Sequence, residues 1–172
     1  MSTRAPEGEQ RRAALIIGAG DATGSAIARR FAREGYVACL ARRSADKLQP
    51  LADAIRAEGR EARGFAADAR KEEQVAELIE TIESEVGPVE MFVFNIGANV
   101  PCGILDETPR KFFKIWEMAC FAGFLTSQAA ARRMAARQRG TILFTGATAA
   151  LRGAANFAAF AMAKHGLRAL AQ

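Results

Sequence analysis

The 172 residues suit a single domain, and half of them are apolar at a mean hydropathy of −0.02. A soluble globular core is therefore expected, and no apolar run approaches the length of a membrane span. One histidine and three cysteines without C-x-x-C spacing (Cys39, Cys102 and Cys120) fit buried reduced thiols better than a zinc or disulfide framework, while the net charge of +5 raises nucleic acid as a partner.

That basic balance is spread through helical segments and interleaved with acids. Its densest group, Arg132, Arg133, Arg137 and Arg139, falls at the predicted end of a long helix and reads as a solvated face. No nucleic-acid, membrane or metal partner is expected. The opening MSTRAPEGEQRR is charged but lacks the apolar segment of a signal peptide, so residues 1–12 read as a mobile tail of a cytoplasmic protein. The domain is expected over 13–172.

In chain order, Ala14 to Ile17 form a short unbroken apolar run, as a parallel strand buried on both faces requires. Gly18, Ala19 and Gly20 stop it. Ile27, Ala28 and Phe31 then recur at helical spacing, so the segment from Ala13 to Phe31 reads as a nucleotide-binding βα turn whose first helical amides face the strand's end. Gly18, Gly20 and Gly24 give G-x-G-x-x-x-G, with Asp21, Ala22 and Thr23 between the last two. This differs from the common G-x-G-x-x-G fingerprint.

Tyr36 to Ala41 is a second strand, and Ser44 caps a helix through Ile55 that Gly59 ends and Pro50 should kink. Glu61 to Ala67 is a third strand. Lys71 to Val86 is an amphipathic helix with Val75, Leu78, Ile79 and Ile82 on one face, and Val89 to Phe94 a fourth strand. Thr108 and Pro109 open one long helix to about Arg137, Thr141 to Thr145 is a fifth strand, and a last helix begins near Asn156. Five βα units predict an α/β, doubly wound parallel sheet of Rossmann type, in the strand order 3-2-1-4-5, with ligand at the strands' carboxyl ends.

These elements, taken together, resemble the short-chain dehydrogenase/reductases over nearly the whole chain from Ala13. Gly18 and Gly24 match the first and third glycines of that family's G-x-x-x-G-x-G turn, and Ala22 replaces the middle one. Asp68, after the third strand, matches the acid that holds the adenine amino group, and Asn95 with Gly97 matches half of the N-N-A-G element. Read alone, Asp68 is equally a helix cap. The resemblance implies a nicotinamide cofactor. At the end of the second strand, where an acid would hold the ribose of NAD, stand Ala41, Arg42 and Arg43, so NADP(H) is favoured over NAD(H). Asp21, in the turn where some relatives carry a second base, opposes that preference, and solvated charge is the plain alternative for Arg42 and Arg43.

The family's Tyr-x-x-x-Lys is here Phe160-Ala-Met-Ala-Lys164. Phenylalanine has no proton to give, which leaves Lys164 the task of binding the nicotinamide ribose. Ala147 stands at the position of the substrate-orienting serine, between Thr145 and Thr148 as substitutes, and Cys120 at that of the family's asparagine. His165 diverges from Lys164 by about 100° around the helix, and Cys120 reads as a packed thiol among apolar neighbours. The resemblance implies an oxidoreductase on an unidentified carbonyl or alcohol with weakened or altered catalysis; the alternative is a non-catalytic NADP(H)-binding sensor or assembly subunit. An altered reductase of activated double bonds is a third reading. The chain halts within a helix without a Gly or Pro stop and reads as truncated relative to the family. Trp116, Phe112, Phe113 and Phe124 on one helix, and Phe157, Phe160 and Leu167 on the next, point to a homo-oligomer through helices 108–137 and 156–172, unless they simply cover the sheet.

Overall fold

The computed structural model describes residues 11–44 and 46–172. Most of the expected tail, residues 1–10, lies outside the described residues. Arg12 is held against the sheet: its carbonyl accepts from Val37 N–H at 2.9 Å, and its guanidinium lies 4.7 Å from the centre of the Tyr36 ring.

Five parallel strands form one sheet in the order β3-β2-β1-β4-β5. They are β1 (Ala13–Ile17), β2 (Val37–Arg42), β3 (Ala62–Ala66), β4 (Val89–Phe94) and β5 (Thr141–Phe144). β1 is central because every residue of its apolar run is buried, Ala14 and Ile16 toward one face, Leu15 and Ile17 toward the other. Helices α1 (Thr23–Arg33) and α2 (Gln49–Ala57) supply Ala28, Ala32, Ala52 and Ile55 to the first face. Helix α3 (Glu72–Glu85) and the long helical segment before β5 supply Leu78, Ile79, Ile82, Ala122, Ala130 and Met134 to the other. The chain is thus doubly wound, and the topology reverses between β1 and β4, where the carboxyl ends open a crevice.

Three expectations change. Pro50 sits in the first turn of α2, where its missing N–H is no loss, so the helix is not kinked, and Ser44 does not cap it. Residues 109–136 are not one α-helix. They comprise α4 (Pro109–Trp116), a π-helical turn (Glu117–Phe121) and α5 (Ala122–Ala136). The π turn accommodates an extra residue without breaking the apolar periodicity, and Cys120 within it packs against Gly166 of α6 (Ala158–Ala171), where a Cβ would stand 2.8 Å from its Sγ. Third, α6 begins two residues later than expected, after Asn156 has turned the chain at φ 65°.

Candidate functional site

The glycine turn closes on itself at the mouth of the crevice. Gly18 has φ +85°, and a Cβ there would lie 2.9 Å from the carbonyl oxygen of Asn95, so a side chain would be both strained and in collision. A Cβ on Gly24 would lie 2.6 Å from Gly18 O, which lets α1 start directly against the strand's end. No side chain caps α1. Gly20, Gly97 and Gly146 line the cleft beside this turn, and a Cβ on any of them would meet only open space. The lining is thus a bare backbone surface of the kind a close-packed pyrophosphate requires.

Asn95 ties the two sides of the switch point together. Its Nδ2 donates to Gly18 O at 3.1 Å, and its Oδ1 accepts from the Thr145 hydroxyl at 2.9 Å. The Thr145 hydroxyl thus donates to Asn95, while its oxygen keeps its acceptor lone pairs beside the cleft. Lys164 completes the arrangement from α6. Its Nζ donates to Thr145 O at 2.8 Å and Ile96 O at 3.3 Å, and the residue is 3% exposed with no carboxylate against it among the described residues. Burial pulls the Lys164 pKa below the ordinary lysine value, against a smaller upward pull from Cys120. Two of the three ammonium donors are fixed by carbonyls, so the third is free for a ligand in the cleft.

Phe160 lines the same cleft, and its ring centre is 5.9 Å from Lys164 Nζ. Ala147 and Thr148 line an adjoining cavity. Cys120 lies under α6, its thiol raised by burial and lowered less by Lys164, which suits the packed reading. Cys39, in the core, is pushed up to about 12 by burial and is an inert thiol. His165 is exposed, with Nδ1 2.9 Å from Ala161 O of its own helix.

At the far end, Arg42, Arg43, Asp68 and the edge of Gly18 line one cavity. Arg42 lies 3.9 Å from the carboxylate of the exposed Asp21, so the two opposed residues of the sequence reading are a loose ion pair. Asp68 does not cap α3, whose preceding residue is Lys71. Instead its carboxylate takes Arg70 Nε at 2.9 Å and Nη2 at 2.6 Å, and Arg70 Nη1 reaches Glu117 at 3.0 Å. The hydrogen bonds from Arg70 hold the Asp68 carboxyl down at about 2, well below the carboxylate range. Three polar lining residues were not expected at this cavity: Ser44, which reads in the sequence as a helix cap, Lys47 and Arg70. Lys47, five positions after Arg42 on the same crossover, was the available signal.

Residues 12–172 match the short chain dehydrogenase family. The chain belongs to that family. It is 46% identical to the crystal structure of a short-chain dehydrogenase from Rhodopseudomonas palustris, which superposes with a TM-score of 0.91 over 95% of this chain and 77% of that one. A metagenomic short-chain oxidoreductase solved in complex with NADP is 27% identical, with a TM-score of 0.87 over 93% of this chain and 72% of that one. A short-chain dehydrogenase/reductase of Armillaria gallica is 31% identical over 166 residues, 95% of this chain. This chain spans 64% of that fungal relative's length. No helix among the described residues is long and apolar enough to cross a membrane.

Proposed function

We propose that this short-chain dehydrogenase binds NADP(H) in the crevice between β1 and β4 and acts as an oxidoreductase on a carbonyl or alcohol, with proton transfer weakened. The observation that carries the reading is the pairing of Lys164 and Phe160. The lysine is buried at the cleft with a donor to spare, while the ring beside it, one helical turn away, has no ionisable group. Gly18, Gly20, Ala22, Thr23, Gly24 and Gly97 would hold the pyrophosphate and adjoining groups, Arg42 and Arg43 the 2′-phosphate, Asp68 the adenine, Asn95 the shape of the turn, and Lys164 the nicotinamide ribose. The bare glycine cradle and the cationic end of the crevice both fit such a dinucleotide. The cofactor, when bound, supplies the hydride. The solved metagenomic relative holds NADP, which supports this choice.

Ala147 and Cys120 stand where the family's orienting serine and water-holding asparagine are expected, so three chemical groups are replaced by packing groups. A positioned general acid contributes about 10² to 10⁴ in rate, and groups that act as a unit do not lose their effects additively. Carbonyl reduction by the unaltered chain is expected to be slow by about that factor. A non-catalytic nucleotide-binding module is the second reading, favoured by the same Phe160 and Ala147.

Fluorescence titration separates the cofactor from the chemistry. NADPH should bind more tightly than NADH, and Arg42→Asp should remove a charge-assisted contact of about 1.5 to 3 kcal/mol and with it a preference of roughly tenfold or more. Asp21→Asn, by releasing Arg42 from its rival anion, should sharpen the preference. Equal affinities for both nucleotides in the unaltered protein would refute the NADP reading. For the chemistry, Phe160→Tyr with Ala147→Ser should raise NADPH oxidation with small ketones or quinones, because Lys164 is already in place. Ordinary turnover without those changes would show that another group or a bound water gives the proton.

A further inference from the structure

Phe160 is a wall between two cavities. On one side it faces the nucleotide cleft with Lys164; on the other it closes a cavity of about 310 Å³ that also contains Ala147 and Thr148. The second cavity therefore adjoins the position at which the cofactor's reacting end is proposed to lie. Its size is at the lower end of the roughly 300 to 1,000 Å³ of small-molecule sites.

The chemistry of its lining is one-sided. Phe157 and Phe160 give two aromatic surfaces, and Ala147, Ala149 and Ala154 keep the rest of the wall short and apolar. Asn99 and Thr148 are neutral. Among the described residues Arg152 is the one ionisable side chain on the wall, it is exposed, and none of the ion pairs uses it. Most arginines of this chain behave differently: Arg70, Arg133, Arg137 and Arg139 all face carboxylates.

The backbone around this cavity is held in place. Ala150 N–H donates to Ala147 O at 2.9 Å and Arg152 N–H to Thr148 O at 3.1 Å, which fixes the short helical turn that carries the arginine. Across from it, Cys102 N–H donates to Asn156 O at 2.7 Å and Ala161 N–H to Phe157 O at 2.8 Å, which fixes the aromatic wall. A guanidinium on a fixed turn, beside flat apolar walls and with no ion-pair partner among the described residues, selects an anion joined to a flat apolar body. Its planar fork suits a carboxylate in particular.

We propose that this cavity is the substrate subsite and that it takes a small aromatic carbonyl compound bearing a carboxylate, with Arg152 as the anchor of the acid group. The inference rests on the oxidoreductase reading for the word substrate, but its test is a binding test. Phenylglyoxylate and acetophenone share the ring and the carbonyl and differ in the carboxylate. Each is titrated calorimetrically into the full chain, once with saturating NADP⁺, which cannot reduce them, and once without nucleotide.

Phenylglyoxylate should bind about tenfold or more tightly than acetophenone, as one charge-assisted contact implies. Arg152→Gln should abolish that difference while leaving the weak ketone affinity and the NADP⁺ affinity unchanged. Arg152→Lys, which keeps the charge without the fork, should fall between. The proposal is overturned if the acid binds no better than the ketone, if Arg152→Gln weakens both alike, or if neither compound binds. Failure of NADP⁺ to bind would sink the cofactor reading alone, since the titrations without nucleotide still compare acid with ketone.

Discussion

Asp68 illustrates how a single carboxylate can serve the fold and the crevice together. Two side-chain donors and the backbone N–H of Arg70 converge on it, and the same guanidinium reaches Glu117 in the π turn, so the pair joins the end of β3 to the helical layer. The folded carboxyl is held at about 2, below its unfolded value near 3.9. A depressed folded value contributes stability that is present above the unfolded value and is lost as pH falls through the folded one. Side-chain exposures of 15% for Asp68 and 24% for Arg70 leave little screening, and the contribution should be of order 2 kcal/mol at neutral pH. Urea unfolding of the unaltered chain and Asp68→Asn should therefore differ by about that amount at pH 7, with the gap closing between about pH 4 and pH 2. A gap that does not change with pH would mean that Asp68 acts through shape and not through charge.

At the scale of elements, the packing of α5 and α6 onto β4 depends on Gly123. A Cβ there would lie 2.5 Å from Leu167 Cδ1 and 3.2 Å from the Phe94 ring, both fully buried groups. Gly123→Ala should cost about 1 to 3 kcal/mol by overpacking, read as a lower denaturation midpoint, and Gly123→Ala combined with Leu167→Ala should recover part of it. Additive losses would show that the two side chains do not collide. β1 and β2 were legible in the sequence because each centres on a short unbroken apolar run, and β4 because its run is interrupted only by Glu90; all three are buried accordingly. The π turn was not legible. Trp116, Ala119 and Gly123 keep an apolar rhythm whether or not a residue is inserted, so the wider turn leaves no mark on the pattern. For the same reason the glycine turn, a local device, could be read from spacing, whereas the Arg70 clamp and the Asn95 bridge to Thr145 join residues whose proximity arises from the topology. Pro50 was misread because its effect depends on whether it stands inside a helix or in its first turn.

For the whole molecule, the aromatic side chains divide into two sets that answer different questions. Phe112 and Phe160 pack with Ile115 and Ala159 in a small cluster, and Leu167 joins the main core, so these do cover the chain's own interior. Phe113, Trp116 and Phe124 remain 64%, 36% and 41% exposed on the outer side of α4 and α5, and Trp116 stacks on Phe121 at 5.9 Å and Phe121 on Phe124 at 6.4 Å. Met162 and Leu170 are 58% and 40% exposed on α6. Aromatic side chains stacked in a row at the surface are a common mark of protein contact, because they carry much apolar area at little entropic cost. The structure contains one copy of the chain, and we expect a homo-oligomer formed through these helix faces. Light scattering at micromolar concentration should give a mass above that of the monomer. Trp116→Glu with Phe124→Glu should return it to the monomer with unchanged circular dichroism, because neither ring contributes to the buried clusters and each new carboxylate would have to be desolvated in a paired interface. A monomeric unaltered chain would sink the expectation and leave the stack as a surface feature of α4 and α5. An oligomer indifferent to both substitutions would move the interface elsewhere, with β5, the outermost strand among the described residues on that side, and its 43% exposed Leu143 the next surface to alter.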